Sequence, residues 1–191
     1  YIDGKFNTTL SMSGLLGKDM MPDFATLSAA GFLETISAIF NNFKPANALG
    51  EKLGIDYLKK LEFANTKNWF EIKDGKVNVK PFNVKMKDVA MQIGGSHGLT
   101  SEMNYQILTK TPRSALEKSG LGSAANAGIN LLSKEASKVG VNLAQGEFIN
   151  GRFDLTATMA SPKVAMKILA SDGQSTLKEE ATGAAAAVVE K

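Results

Sequence analysis

The sequence holds no cysteine, which excludes disulfides, thiolate nucleophiles and cysteine-ligated metal sites and leaves the redox compartment open. It holds a single histidine, His97, so no second imidazole can complete a metal-ligand spacing. No run of about 18 apolar residues occurs, and no stretch reads as a membrane-spanning helix. Five prolines are few, whereas 18 glycines are enough to furnish turns. The 22 basic residues against 19 acidic ones give a formal charge of +3 and a pI near 9.0, but they are spread without a dense block, so no nucleic-acid partner is expected. The chain starts at Tyr1 with neither a methionine nor a signal-like segment, which suggests an excerpt of a longer protein.

What is present is ordinary globular material: 43% hydrophobic and 21% charged residues over 191 positions, enough for one domain plus a tail that buries roughly 70% of its unfolded surface. The clearest pattern runs from Phe70 to Ile107. Phe70 and Ile72 precede Asp74-Gly75, and Val77 and Val79 follow it, so a two-residue type I′ turn sets Ile72 opposite Val77 and Phe70 opposite Val79. Phe82, Val84 and Met86 continue with period two, and Val89, Met91 and Ile93 follow one register later. After the glycine-rich turn predicted at residues 94–98, the alternation resumes as Met103, Tyr105 and Ile107. The phase flips at Lys80-Pro81 and Lys87-Asp88 fall on turn or bulge residue types, which keeps the apolar set on one face. The other face carries Lys73, Lys76, Lys80, Lys85 and Lys87, and reads as solvated or, functionally, as near anionic head groups.

Asp3-Gly4 and Asn150-Gly151 are two further hairpin signals, pairing Tyr1 with Phe6 and Phe148 with Phe153. Alternation from Phe6 to Gly14 predicts a strand, and the apolar stretch from Leu27 to Phe40 is read as a strand in preference to a buried helix. Lys44-Pro45 opens a predicted helix near 45–61, with Leu49, Leu53, Tyr57, Leu58 and Leu61 at helical spacing. Thr111-Pro112 opens a second near 112–138, carrying Leu116, Leu121, Ala125, Ile129 and Leu132 as a narrow stripe. Phe153 to Met159 and Val164 to Ile168 predict the last two strands, and 171–191 a flexible or frayed-helical tail.

Motifs for catalysis are weak. A lone loop histidine is an unpromising base, Gly120-Leu121-Gly122 lacks the third glycine of a dinucleotide loop, and Leu10 to Gly14 lacks the first glycine of a nucleophile elbow. The reading is therefore of a protein that is not an enzyme and needs no cofactor or metal.

Taken in series, Gly4-Lys5-Phe6 through Gly14, Met20-Met21-Pro22-Asp23, Gly31-Phe32-Leu33, Asp74-Gly75, Pro81-Phe82, Gly94-Gly95-Ser96, Met103-Asn104-Tyr105 and Phe153 to Val164 resemble the C-terminal region of AsmA-like proteins. The resemblance covers most of residues 1–170. It implies an inner-membrane-anchored protein of a Gram-negative bacterium with its body in the periplasm, linked to outer-membrane assembly and similar to bridge-like lipid-transfer proteins. No catalytic motif carries over.

The expected fold is α+β: a twisted, mostly antiparallel sheet of about eight strands over residues 1–170, groove- or half-barrel-like, with two helices packed on it. Its apolar face is either an ordinary filled core or an open groove for lipid acyl chains, phospholipid among them, lined by Phe70, Ile72, Val77, Val79, Phe82, Val84, Met86, Val89, Met91, Ile93, Met103, Tyr105 and Ile107. The alternative function is a structural or docking module that meets an envelope partner protein through its sheet edges.

Overall fold

The computed structural model describes residues 2–53, 59–99, 102–114 and 147–169. Eight strands form an antiparallel sheet in strict sequence order: β1 (Ile2–Ser13), β2 (Ser28–Phe40), β3 (Leu61–Lys73), β4 (Lys76–Met86), β5 (Val89–Gly98), β6 (Met103–Pro112), β7 (Phe148–Ala157) and β8 (Pro162–Ile168). Among the described residues one short helix, α1 (Lys44–Leu53), lies between β2 and β3. The described residues are thus mostly β, and the expected α+β fold holds only coarsely.

The turn at the centre forms as expected. Asp74 and Gly75 adopt φ of 51° and 69°, the left-handed pair that a type I′ turn needs, and Ile72 faces Val77 while Phe70 faces Val79. Lys87-Asp88 closes the next hairpin with Met86 opposite Val89. The expected bulge at Lys80-Pro81 appears as a register shift between Val79 and Phe82.

The other two turn signals do not make turns. Asp3-Gly4 lies inside β1, where Gly4 pairs with Ala38, and a Cβ at Gly4 would collide with the Ser37 carbonyl oxygen. The glycine serves close approach beside the register shift at Lys5/Phe6. Asn150-Gly151 lies inside β7, held from both sides by Gly151↔Thr109 and Gly151↔Ile168, and two ladders outweigh one local turn preference. A Cβ at Gly151 would sit 3.0 Å from Thr109 Oγ1 and 3.1 Å from the Phe153 ring. The predicted turn at 94–98 is likewise strand: Gly95 pairs with Val79 and Tyr105, and His97 with Val77 and Met103.

The first helix is shorter than expected. Leu61 already belongs to β3, opposite Phe40, so the helix cannot extend to it. Tyr57 and Leu58 lie outside the described residues. The second predicted helix also falls there beyond Ser114, but its proposed start is corrected: Thr111 and Pro112 complete β6 opposite Ile149 and Phe148. The 171–191 tail lies outside the described residues.

Helix α1 reports the curvature of the sheet. Six strand spacings of about 4.8 Å would hold β2 and β8 about 29 Å apart if the sheet were flat. A ten-residue helix is about 15 Å long, yet α1 touches β8. The sheet therefore curls towards its own far edge, and α1 crosses the concave side at the end where β2 and β4 finish. Ala46 and Leu49 bury there against Leu61, Val84, Met86, Val89 and Phe153.

Candidate functional site

Between the inward faces of the strands lies a cavity of about 420 Å³, closed at one end by Phe43 and by α1 through Pro45, Ala46 and Leu49. That volume lies in the range of ligand cavities. Its origin is visible in the pairing. The ladder between β3 and β4 holds four pairs, from Phe70↔Val79 to Lys73↔Lys76, and stops there, although both strands continue. From this fork the two strands run on towards the α1 end, and Leu61 and Phe63 on one side and Phe82 on the other line the space.

Of the residues expected to line a groove, nine meet at this cavity: Phe70, Val77, Val79, Phe82, Met91, Ile93, Met103, Tyr105 and Ile107. Four do not. Val84, Met86 and Val89 are buried in the packed cluster under α1, because they sit on the β4–β5 hairpin at the end that the helix covers. Ile72 is half-buried beside the Asp74-Gly75 turn and does not reach the cavity wall. The face is packed under α1 and hollow beyond it.

Sequence reasoning missed Leu33 and Phe40 on β2, Leu61, Phe63 and Asn68 on β3, Leu155 on β7, and Met159. The inward set of β3 is Leu61 and Phe63, then Thr66, Asn68, Phe70 and Ile72. The phase flips at Asn65, a non-glycine residue with φ of 54°, and two of the inward residues are polar. The period-two signal is therefore broken twice within one strand.

Among the described residues, none that lines the cavity is Lys, Arg, Asp or Glu. The polar groups are Asn68, His97 and the Tyr105 hydroxyl. His97 Nδ1 and Tyr105 Oη share a hydrogen bond of 2.8 Å whose direction follows the imidazole tautomer. Burial holds the imidazole below its ordinary range and pushes the phenol up to about 12, so both are neutral near pH 7. Asn68 Oδ1 is out of solvent and accepts no hydrogen bond. His97 therefore belongs to the wall of an apolar hollow and not to a surface turn. No described group of three or more His, Asp or Glu is placed to hold a metal ion.

Exposure on the concave side rises from the centre to the edges. Phe153 is fully buried and Ile107 is 5% exposed, whereas Phe6, Leu10 and Met12 on β1 are 60%, 46% and 58% exposed. Their partners Thr35, Gly31 and Ala29 share the face of β2 that carries Leu33, so these side chains lie on the concave side of the sheet. On the convex side Lys73, Lys76, Lys80, Lys85 and Lys87 are exposed, and Lys80 pairs with Glu71 at 3.3 Å, an ion pair of little energetic weight at such exposure. Trp69, also convex, stacks at a tilt on Phe32 with ring centroids 4.8 Å apart. No described helix is long and apolar enough to cross a membrane.

Comparison with protein-family models, with curated proteins and with solved structures finds no match to this chain.

Proposed function

We propose that this chain is a non-enzymatic lipid-binding module: a curled, half-barrel-like sheet whose hollow takes up acyl chains, working in the periplasm as part of an AsmA-like, inner-membrane-anchored protein that supports outer-membrane assembly. The observation that carries the reading is the cavity of about 420 Å³ in whose lining no described residue carries a charged side chain. An acyl chain gains about 0.8 kcal/mol for each buried CH₂ and needs no polar site to be held. The apolar row that continues onto exposed Phe6, Leu10 and Met12 offers such a chain a way in along the β1 side. Methionines at 91, 103 and 159 suit a wall that accepts chains of varied shape.

The test is photocrosslinking in cells, in the full-length protein, with a photoreactive residue at Ile93 on the cavity wall or at Lys85 on the convex face. Lipid adducts at position 93 and none at 85 are expected. Lipid at neither position would overturn the reading.

A second reading, a docking module that uses its sheet edge, is favoured by a difference between the two edges. β8 is short and carries Pro162, Lys163 and Lys167, which discourage strand addition. β1 has twelve residues, no proline and a single lysine, with exposed apolar side chains on alternate positions. Protein adducts in place of lipid adducts, formed from a photoreactive residue at Thr9, would support it.

A further inference from the structure

We infer that the hollow prefers chains linked through a carbonyl, the acyl esters and amides of lipids, over chains without one, and that the Nε2–H of His97 recognises the carbonyl oxygen. This rests on the hollow taking up apolar chains and goes beyond it by naming how they are linked. His97 lines the cavity from β5 and Tyr105 from β6. The two are diagonal neighbours, since His97 pairs with Met103 and Tyr105 with Gly95. Gly95 lets them meet: a Cβ there would lie 3.0 Å from Tyr105 Cδ1, so its absence leaves the phenol room to reach along the strand. Nδ1 and Oη then stand 2.8 Å apart, with the two rings nearly parallel.

That hydrogen bond fixes the tautomer. A phenol has one proton to donate, and among the described residues Nδ1 is the acceptor it meets. Burial keeps the imidazole neutral near pH 7, so with Nδ1 accepting, its single proton sits on Nε2. Nε2 has no hydrogen-bond partner on the protein and, unlike Asn68 Oδ1, is not sealed from solvent. It is a reachable donor on the wall of the cavity.

The rest of the wall sets the ligand. No described lining residue carries a charge, so a carboxylate or phosphate finds no counter-ion there, whereas an ester or amide carbonyl brings an acceptor without a charge. From Met91, in the cluster packed under α1, to His97 the strand runs roughly 20 Å. A chain whose carbonyl meets His97 therefore has the apolar wall between that point and α1 for its methylenes, and its head group lies at the end of the hollow away from the helix.

The experiment compares palmitoyl lysophosphatidylcholine with its hexadecyl ether counterpart, which differs in lacking the carbonyl, as competitors for bound cis-parinaric acid. Both are kept below the concentrations at which they form micelles. The full chain is used as wild type, as His97→Phe, which keeps a flat ring without the N–H, and as His97→Gln, which keeps a donor. One hydrogen bond predicts that the ester competes about fivefold better than the ether on wild type. The ratio should fall to near one in His97→Phe and rise again in His97→Gln. Equal competition on wild type, or an undiminished preference in His97→Phe, would overturn this inference and leave lipid binding standing. A preference lost in both variants would overturn it as well, since the shape of the ring and not its donor would then be the cause. Binding of neither lipid would overturn both readings.

Discussion

Phe153 and Phe82 both face the concave side of the sheet, and truncating each to alanine separates a hollow from a filled core. Phe153 is fully exposed to nothing but protein: its relative accessibility is 0%, its ring lies against Gly151, and it faces Ile107 across the β6–β7 ladder. Phe153→Ala removes a ring from close packing and leaves a void, which costs about 3–5 kcal/mol. Phe82 is half-buried and one side of it faces the cavity. A buried phenylalanine covers about 150–250 Å², so with about half of that removed from water at about 25 cal/mol per Å² the loss in Phe82→Ala is roughly 2 kcal/mol, with little new void to add. Urea titrations followed by circular dichroism give both values, read as a change in midpoint at constant slope. The expected difference is at least about 1 kcal/mol, against a total stability of about 5–15 kcal/mol. A lipid at a hundred times its Kd should stabilise wild type by about 2.7 kcal/mol and Phe82→Ala by a different amount, since the substitution alters the wall. Equal losses above 3 kcal/mol for both variants, with no lipid-induced shift in either, would refute the hollow and return this face to ordinary core.

His97 is held below its ordinary pKa by burial, so the unfolded chain, titrating near 6.5, takes up the proton first as pH falls. Its contribution to stability is therefore complete above about pH 6.5 and is lost as pH falls through that value towards the depressed folded one. His97→Gln should flatten the melting-temperature profile between pH 7 and 5, and parallel profiles for the two proteins would count against a buried neutral imidazole. Gly75→Ala places a Cβ on a residue with φ of 69° and should cost about 1 kcal/mol in the same urea assay, while Lys76→Ala, one position on, should stay within about 0.5 kcal/mol.

Strands with an unbroken period-two alternation were readable from the sequence, and β3, whose alternation breaks at Asn65, was not. Phe70 to Ile107 has a strong period-two signal and one strong turn, Asp74-Gly75, at which the structure keeps the expected register, whereas residues 94–98, read as a turn, continue β5. Asp3-Gly4 and Asn150-Gly151 carry the same dipeptide chemistry but form no turn, because a residue pair cannot announce that strands will be available on both of its sides. Leu61 to Trp69 was hidden for a different reason: Leu58 and Leu61 fit a helical stripe, and Thr66 and Asn68 face inward where the pattern calls for apolar residues. The candidate wall was legible to the same extent. Nine of its members came from the periodic stretch, and those on β2, β3 and α1 depend on how far the sheet curls, which no local pattern records.

The curl and the fork together explain why this fold holds a space at all. A sheet that only had to cover a solid core would zip β3 onto β4 along their full length, since each unpaired backbone group there must find another partner. Here the ladder stops after Phe70↔Val79. Further along β3, about 17 Å from the fork, β2 and β3 break phase opposite each other, at Ile36 and Asn65, and β1 slips against β2 at Lys5/Phe6. Irregularities aligned across three neighbouring strands bend the sheet there and do not cancel. Divergence of β3 from β4 widens the concave side, and α1, at about 15 Å, is long enough to fill only one end of it. What it leaves is walled chiefly by side chains that were already apolar for the sake of the core, with Asn68, His97 and the Tyr105 hydroxyl as the polar groups of the described lining.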